Sequence, residues 1–88
     1  MPRRKLTLDP RFDTAPNTRI VAMGDMGQLI KQRRKELGMT QADLSRLTDF
    51  SMRLIGEIER GKEHVATDKI LRILDALNMT MMVHVEGK

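Results

Sequence analysis

The stretch SMRLIGEIERGK, residues 51–62, gathers the side chains with the most capacity for polar recognition. At helical spacing Ile55 and Ile58 fall on one side, and Met52, Arg53, Gly56, Glu57 and Arg60 share the other. Arg53 and Glu57 stand four residues apart and can pair with each other on a solvated helix face, a contact worth only about 0.2 to 0.5 kcal/mol. Otherwise the face is free to meet a partner. Catalysis and metal chemistry have little to build on. His64 and His84 are 20 residues apart with no clustered ligands. There is no cysteine nucleophile, no glycine-rich phosphate loop and no plausible triad. No catalytic residue, metal site or cofactor is expected, and the chain is not expected to be an enzyme.

An 88-residue chain allows one small domain with little room for a secluded active site, which favours a binding role. Without cysteine there is no disulfide framework, and the composition suits a reducing cytosol. No apolar run is long enough to span a bilayer, and the N-terminus lacks a signal-peptide core, so a soluble cytoplasmic protein is expected. The net charge of +4 is uneven: basic against acidic residues run five to two over 1–24, four to two over 25–37, four to four over 38–62 and three to four over 63–88. A basic N-terminal half suggests a polyanionic partner such as nucleic acid. Two phenylalanines and no Trp or Tyr argue against base-stacking recognition of single strands or RNA.

The elements that would position the 51–62 face follow from local signals. Residues 1–24 contain all three prolines and no helical periodicity, and read as a basic arm. From Asp25 to Leu37 the residues Met26, Leu29, Ile30 and Leu37 keep helical spacing, with Gly38 placed as a C-terminal cap. Arg34 falls on or beside that buried side and needs an anionic partner. A second helix starts at Thr40, capped by its hydroxyl with Asp43 three residues on, carries Leu44 and Leu47 on one side, and ends by about Thr48. Asp49 turns the chain, Ser51 caps a third helix, and Phe50 can staple onto Ile55. Gly61 closes that helix. A fourth, from Thr67 to near Asn78, carries Ile70, Leu71, Ile73, Leu74 and Leu77. Residues 79–88 switch to period two, with Met79, Met81, Val83 and Val85 on one side and Thr80, Met82, His84 and Glu86 on the other, which reads as a strand. Its expected partner is the same strand of a second subunit, giving a two-fold homodimer; pairing with residues 19–23 is the alternative.

The run TQADLSRLTDFSMRLIGEIERGK fits TQ-x2-L-x6-S-x3-I-x2-IE-x-GK and resembles the helix-turn-helix of the lambda-repressor and Cro family, also called the Xre family. The match spans 23 residues, and the flanking helices extend it to about 54 of 88. Departures are Ser45 where alanine is usual, and Thr48 and Asp49 where leucine and glycine are common. The resemblance implies an all-α fold of four to five helices: a DNA-binding domain over 25–78 between the arm, 1–24, and a dimerisation strand, 79–88. It also implies that the third helix lies in the major groove. Arg53 would then read a guanine, Glu57 accept from a cytosine amino group and Met52 touch a thymine methyl, each good contact worth about 1 to 3 kcal/mol. Ser51 at the helix start and Gly56, where something approaches the backbone closely, would belong to the same interface. Gln41, Arg60 and Lys62 would hold phosphates. Glu59 would pair with Arg34 as a structural lock.

The run ILRILDALNMTMMVHVE, passing from helix to strand, is similar to HipB-type antitoxins of bacterial toxin–antitoxin operons. That resemblance implies a dimer that represses its own operon at inverted-repeat, double-stranded operator DNA and binds a HipA-like serine/threonine kinase toxin. The resemblance does not identify the kinase-binding surface; the exposed side of the first helix, Gln28, Lys31, Gln32 and Lys35, is a candidate for it. Such a protein would be cytoplasmic, associated with the bacterial nucleoid when bound. A stand-alone or phage-type repressor, and a protein-binding adaptor on the same fold, are the alternatives. Arg3, Arg4 and Lys5 of the arm could enter the minor groove beside the site.

Overall fold

The computed structural model describes residues 18–83 and residue 85. Four helices follow in order: α1 (Met23–Glu36), α2 (Gln41–Thr48), α3 (Met52–Glu59) and α4 (Thr67–Ala76). Helix α3 packs against both α1 and α2, and α4 closes over α2. The all-α domain and the α2–turn–α3 unit are as the pattern predicts.

Helix α1 opens two residues before the expected start at Asp25. That residue lies inside the first turn, and its Oδ2 accepts the backbone N–H groups of Val21 (2.9 Å) and Ala22 (3.1 Å). These bonds, the one from Val21 first, hold the carboxyl below its usual range. The other end is a Schellman cap: Gly38 is left-handed at φ 71°, and the Met39 N–H donates to the Arg34 carbonyl at 3.0 Å. The same cap recurs after α3 at Gly61 (φ 97°) and after α4 at Asn78 (φ 60°).

Helix α2 is capped as predicted. The Asp43 N–H donates to Thr40 Oγ1 (3.0 Å), and the Thr40 N–H donates to Asp43 Oδ2 (2.8 Å). The turn to α3 then accounts for the three departures from the family pattern. Thr48 Oγ1 donates to the Leu44 carbonyl at 2.8 Å and accepts from the Phe50 N–H at 3.3 Å. Ser45 Oγ donates to the Phe50 carbonyl, and Asp49 takes the left-handed conformation at φ 63°. Side-chain hydroxyls stitch this turn where an apolar packing residue and a glycine are usual.

The core is Met26, Ile30, Leu44, Ile55, Ile58, Ile70, Ile73, Leu74 and Leu77. Phe50 packs against it with the Arg72 guanidinium 5.7 Å from its ring centroid. Three leucines of the apolar helical patterns are exposed: Leu37, Leu47 and Leu71. Leu37 is the C-cap of α1, already turning out of the helical register, while α2 buries Leu44 and α4 buries Ile70, Ile73 and Leu74 in place of Leu47 and Leu71.

The expected strand over 79–88 is not formed among the described residues. Met79 packs on the core, and Met81, Val83 and Val85 then run exposed. The competing intramolecular pairing is absent too, because Met23 belongs to α1 and residues 18–22 are irregular. The described residues of one chain therefore offer this segment no edge to satisfy a ladder. His84, residues 86–88, and the arm residues 1–17 with Arg3, Arg4 and Lys5, lie outside the described residues. No helix among those described is long and apolar enough to cross a membrane.

Candidate nucleic-acid interface

Three helices meet at Glu59. The Arg34 guanidinium of α1 donates to it through Nε (2.7 Å to Oε2) and Nη2 (3.1 Å to Oε1), while Nη1 donates to the Met39 carbonyl at 2.8 Å. Gln41, the first residue of α2, adds Nε2 to Glu59 Oε1 at 3.0 Å. Both charged side chains are almost wholly buried, at 8% and 2% exposure. Burial alone would raise the Glu59 carboxyl; the Arg34 and Gln41 hydrogen bonds and the charges of Arg34 and Lys31 outweigh it and hold the group below its usual range. The pair expected from the sequence is thus present, as a bidentate, fully satisfied cluster. Gln41, expected to reach outward to phosphate, spends one amide hydrogen inward on Glu59.

A second positioning contact was not read from the sequence. Helix α1 crosses α3 at Gly27, where a Cβ would stand 2.3 Å from the Ile58 carbonyl oxygen and 2.8 Å from that of Glu59. Only glycine lets the two backbones lie this close. The available signal was a glycine in the interior of a helical period, a costly choice that asks for a packing reason.

The outer face of α3 carries the remaining candidates. Ser51 Oγ accepts the Leu54 N–H at 3.0 Å and caps the helix. Met52 is exposed, and Arg53 projects with 85% of its side chain accessible. Arg53 Nε lies 3.3 Å from Glu57 Oε2, and Lys62 Nζ is 3.7 Å from Glu57 Oε1, so one carboxylate links two cations at opposite ends of the face. At Gly56 a Cβ would sit 3.2 Å from Arg60 Nη1 and 3.8 Å from Gln41 Nε2. The close approach anticipated at Gly56 therefore comes from the protein itself: Arg60 folds back over the bare helix turn, next to the N-terminus of α2. Gln41, Gly56 and Arg60 form one group of neighbours, and Arg53, Glu57 and Lys62 another. The exposed imidazole of His64 belongs to neither, and no group of three or more His, Cys, Asp or Glu able to hold a metal occurs among the described residues.

This geometry matches known proteins. A solved controller protein of a restriction–modification system, C.AhdI from Aeromonas hydrophila, superposes with a TM-score of 0.62 at 28% identity, over 66% of this chain and 88% of that one. HipB in an O4 20mer complex superposes with a TM-score of 0.73 at 18% identity, over 81% of this chain and 100% of its own, a likeness of fold. An uncharacterised HTH-type transcriptional regulator, y4mF of Sinorhizobium fredii, is 29% identical over 70 residues, covering 80% of this chain and 92% of that protein. The helix-turn-helix family profile matches residues 30–82, more than half of the chain. The protein belongs to that family, in its lambda-repressor/Cro (Xre) branch of DNA-binding transcriptional regulators.

Proposed function

We propose that this protein is a dimeric repressor that reads an inverted-repeat operator with α3, and that it is the HipB-like antitoxin of an operon it autoregulates, binding a HipA-like serine/threonine kinase toxin. The observation that carries the DNA reading is the Glu59 cluster. It fixes α1, α2 and α3 as one block and leaves Arg53 projecting from the outer face of α3. In the groove Arg53 exchanges its weak tie to Glu57 for a bidentate contact with guanine, and Glu57 becomes free to accept from a cytosine amino group. Met52 reaches a thymine methyl. The second amide hydrogen of Gln41, with Arg60 and Lys62, holds phosphates, while Ser51 sets the start of the helix at the groove. No cofactor or catalytic step is involved, and the site of action is nucleoid DNA in the cytoplasm.

The antitoxin assignment is supported by the HipB fold matching over its full length and by the exposed tail. Met81, Val83 and Val85 run exposed after Met79 with no backbone hydrogen bond among the described residues, and the same segment of a second subunit would pair with them. HipB has also been solved in a HipA–HipB–O2–O3 complex, which superposes on this chain with a TM-score of 0.73. A second reading, a stand-alone repressor without a toxin, is favoured by the higher identity to the controller protein.

The test is binding to a labelled duplex from upstream of the protein's own gene, against an unrelated duplex of equal length at several salt concentrations. Site-preferring binding by two protomers, with the preference lost in Arg53→Ala, is the expected result. Equal weak binding to both duplexes would overturn the DNA reading. Co-purification of the neighbouring gene product, with kinase activity that falls on complex formation, separates the antitoxin from the stand-alone repressor.

A further inference from the structure

Helix α1 carries a second polar face that the recognition helix does not account for. Gln28, Lys31, Gln32 and Lys35 recur at i, i+3, i+4 and i+7 and, with Glu59, line an open groove of about 420 Å³. The carboxylate in its wall is already matched, since both Glu59 oxygens are taken by Arg34 and Gln41. The ammonium groups of Lys31 and Lys35 meet no carboxylate among the described residues. Gln28 makes no side-chain hydrogen bond there either, and Gln32 reaches only Glu36, at 3.4 Å. The groove thus presents two ammonium groups outside ion-pair distance of any described carboxylate, Lys31 acting on Glu59 only through its longer-range field, together with spare amide donors.

An acidic protein face and a phosphate backbone both complement that charge. The lining favours phosphate, for it includes no apolar side chain to act as the desolvated anchor on which protein interfaces depend. Its position favours phosphate as well. The groove ends at the carboxylate that Gln41 bonds, and Gln41 opens α2 beside Gly56 and Arg60. The α1 face is continuous with the edge of the interface described above.

We propose that Lys31 and Lys35, assisted by Gln28 and Gln32, hold the sugar–phosphate backbone flanking the half-site, so that α1 extends the footprint beyond the helix-turn-helix. This inference rests on the DNA reading of the previous subsection. Contacts of this kind position the protein and supply salt-dependent affinity without sequence preference.

The experiment compares the full chain with a Lys31→Gln/Lys35→Gln double variant on the upstream and unrelated duplexes across salt concentrations, with melting curves confirming that both fold. The expected result is a salt slope lower in magnitude by about 1.8 per protomer, about 3.6 for the two protomers on a duplex, so that going from 50 to 200 mM salt costs the parent about 10²-fold more affinity than the variant. The preference between duplexes stays unchanged, and Lys69→Gln on α4 leaves the slope untouched. Phosphates whose ethylation blocks only the parent should map outside the bases read by α3. An unchanged slope in the double variant overturns the proposal; if that variant also loses an acidic co-purifying protein, the surface belongs to that partner. If the parent shows no site preference yet the slope still falls, the operator reading fails and the backbone contact stands. No binding to either duplex removes both.

Discussion

Glu59 is the residue on which α1, α2 and α3 converge, and breaking its pair from one side strands Arg34 in the interior. Removing one partner of such a buried pair costs about 3 to 5 kcal/mol, a large share of the stability of a small domain. Glu59→Ala should therefore melt far below the parent or not fold at all, which circular dichroism reads directly. The pH dependence has a fixed sign. The carboxyl titrates lower in the folded chain than its ordinary value of 4.5, so the stabilisation is fully present above about pH 4.5 and drains away as pH falls through the folded value. Asp25 and Asp43 shift in the same direction, so the diagnostic is the difference between the parent and Glu59→Gln: the variant's melting temperature should fall less steeply on acidification. Gly56 makes the opposite case, a residue whose replacement should touch function more than stability. The nearest atom to a Cβ there is Nη1 at the end of the long Arg60 side chain, at 3.2 Å, with Gln41 Nε2 at 3.8 Å. Gly56→Ala should gain roughly 0.5 to 1 kcal/mol of helix stability while displacing Arg60 from the α2 terminus. A fluorescence titration on operator DNA should show weaker binding by a more stable protein; undiminished affinity would mean that the resting place of Arg60 is irrelevant to the interface.

At the scale of elements, the local signals were legible and the tertiary ones were not. Thr40 with Asp43, Ser51, Gly38 and Gly61 cap their helices as read, because a cap is decided within a few residues of chain. Arg34 and Glu59 were paired correctly only through the family pattern, since 25 residues separate them and spacing alone assigns no partner. Periodicity also leaves burial open at Leu37, Leu47 and Leu71: it marks an apolar face without saying how far the next helix covers it. Gly27 is the clearest omission, because its meaning lies in the carbonyls of a helix 31 residues further on. Gly27→Ala should force α1 and α3 apart and cost about 1 to 3 kcal/mol, a fall of roughly 4 to 8 °C in Tm for each kcal/mol in a domain of this size. The adjacent exposed Gly24→Ala, where the added methyl meets nothing within 4 Å, serves as the control.

At the scale of the whole molecule, the tail decides what the single chain cannot. Its alternating pattern predicts a strand, yet strand geometry is a property of a pair, and the described residues of one chain supply no partner edge. If two tails pair, their union would set the separation of two recognition helices, and half-sites spaced about 34 to 36 Å apart or a multiple of that would follow from the two-fold axis. Truncation after Thr80 isolates this contribution, because the last fully buried core residue is Leu77 and the packing of Met79 is retained. The shortened chain should keep its helical spectrum and elute as a monomer in light scattering at concentrations where the full chain is a dimer. Without the link between recognition helices, its operator affinity should fall by about 10² to 10⁴, the range expected when a second binding event ceases to be intramolecular. Binding to an isolated half-site should barely change, since the α3 face is intact. A truncated chain that remains dimeric would move the dimer contact to the helical body, where exposed apolar side chains such as Leu47 on α2 and Leu71 on α4 could make it.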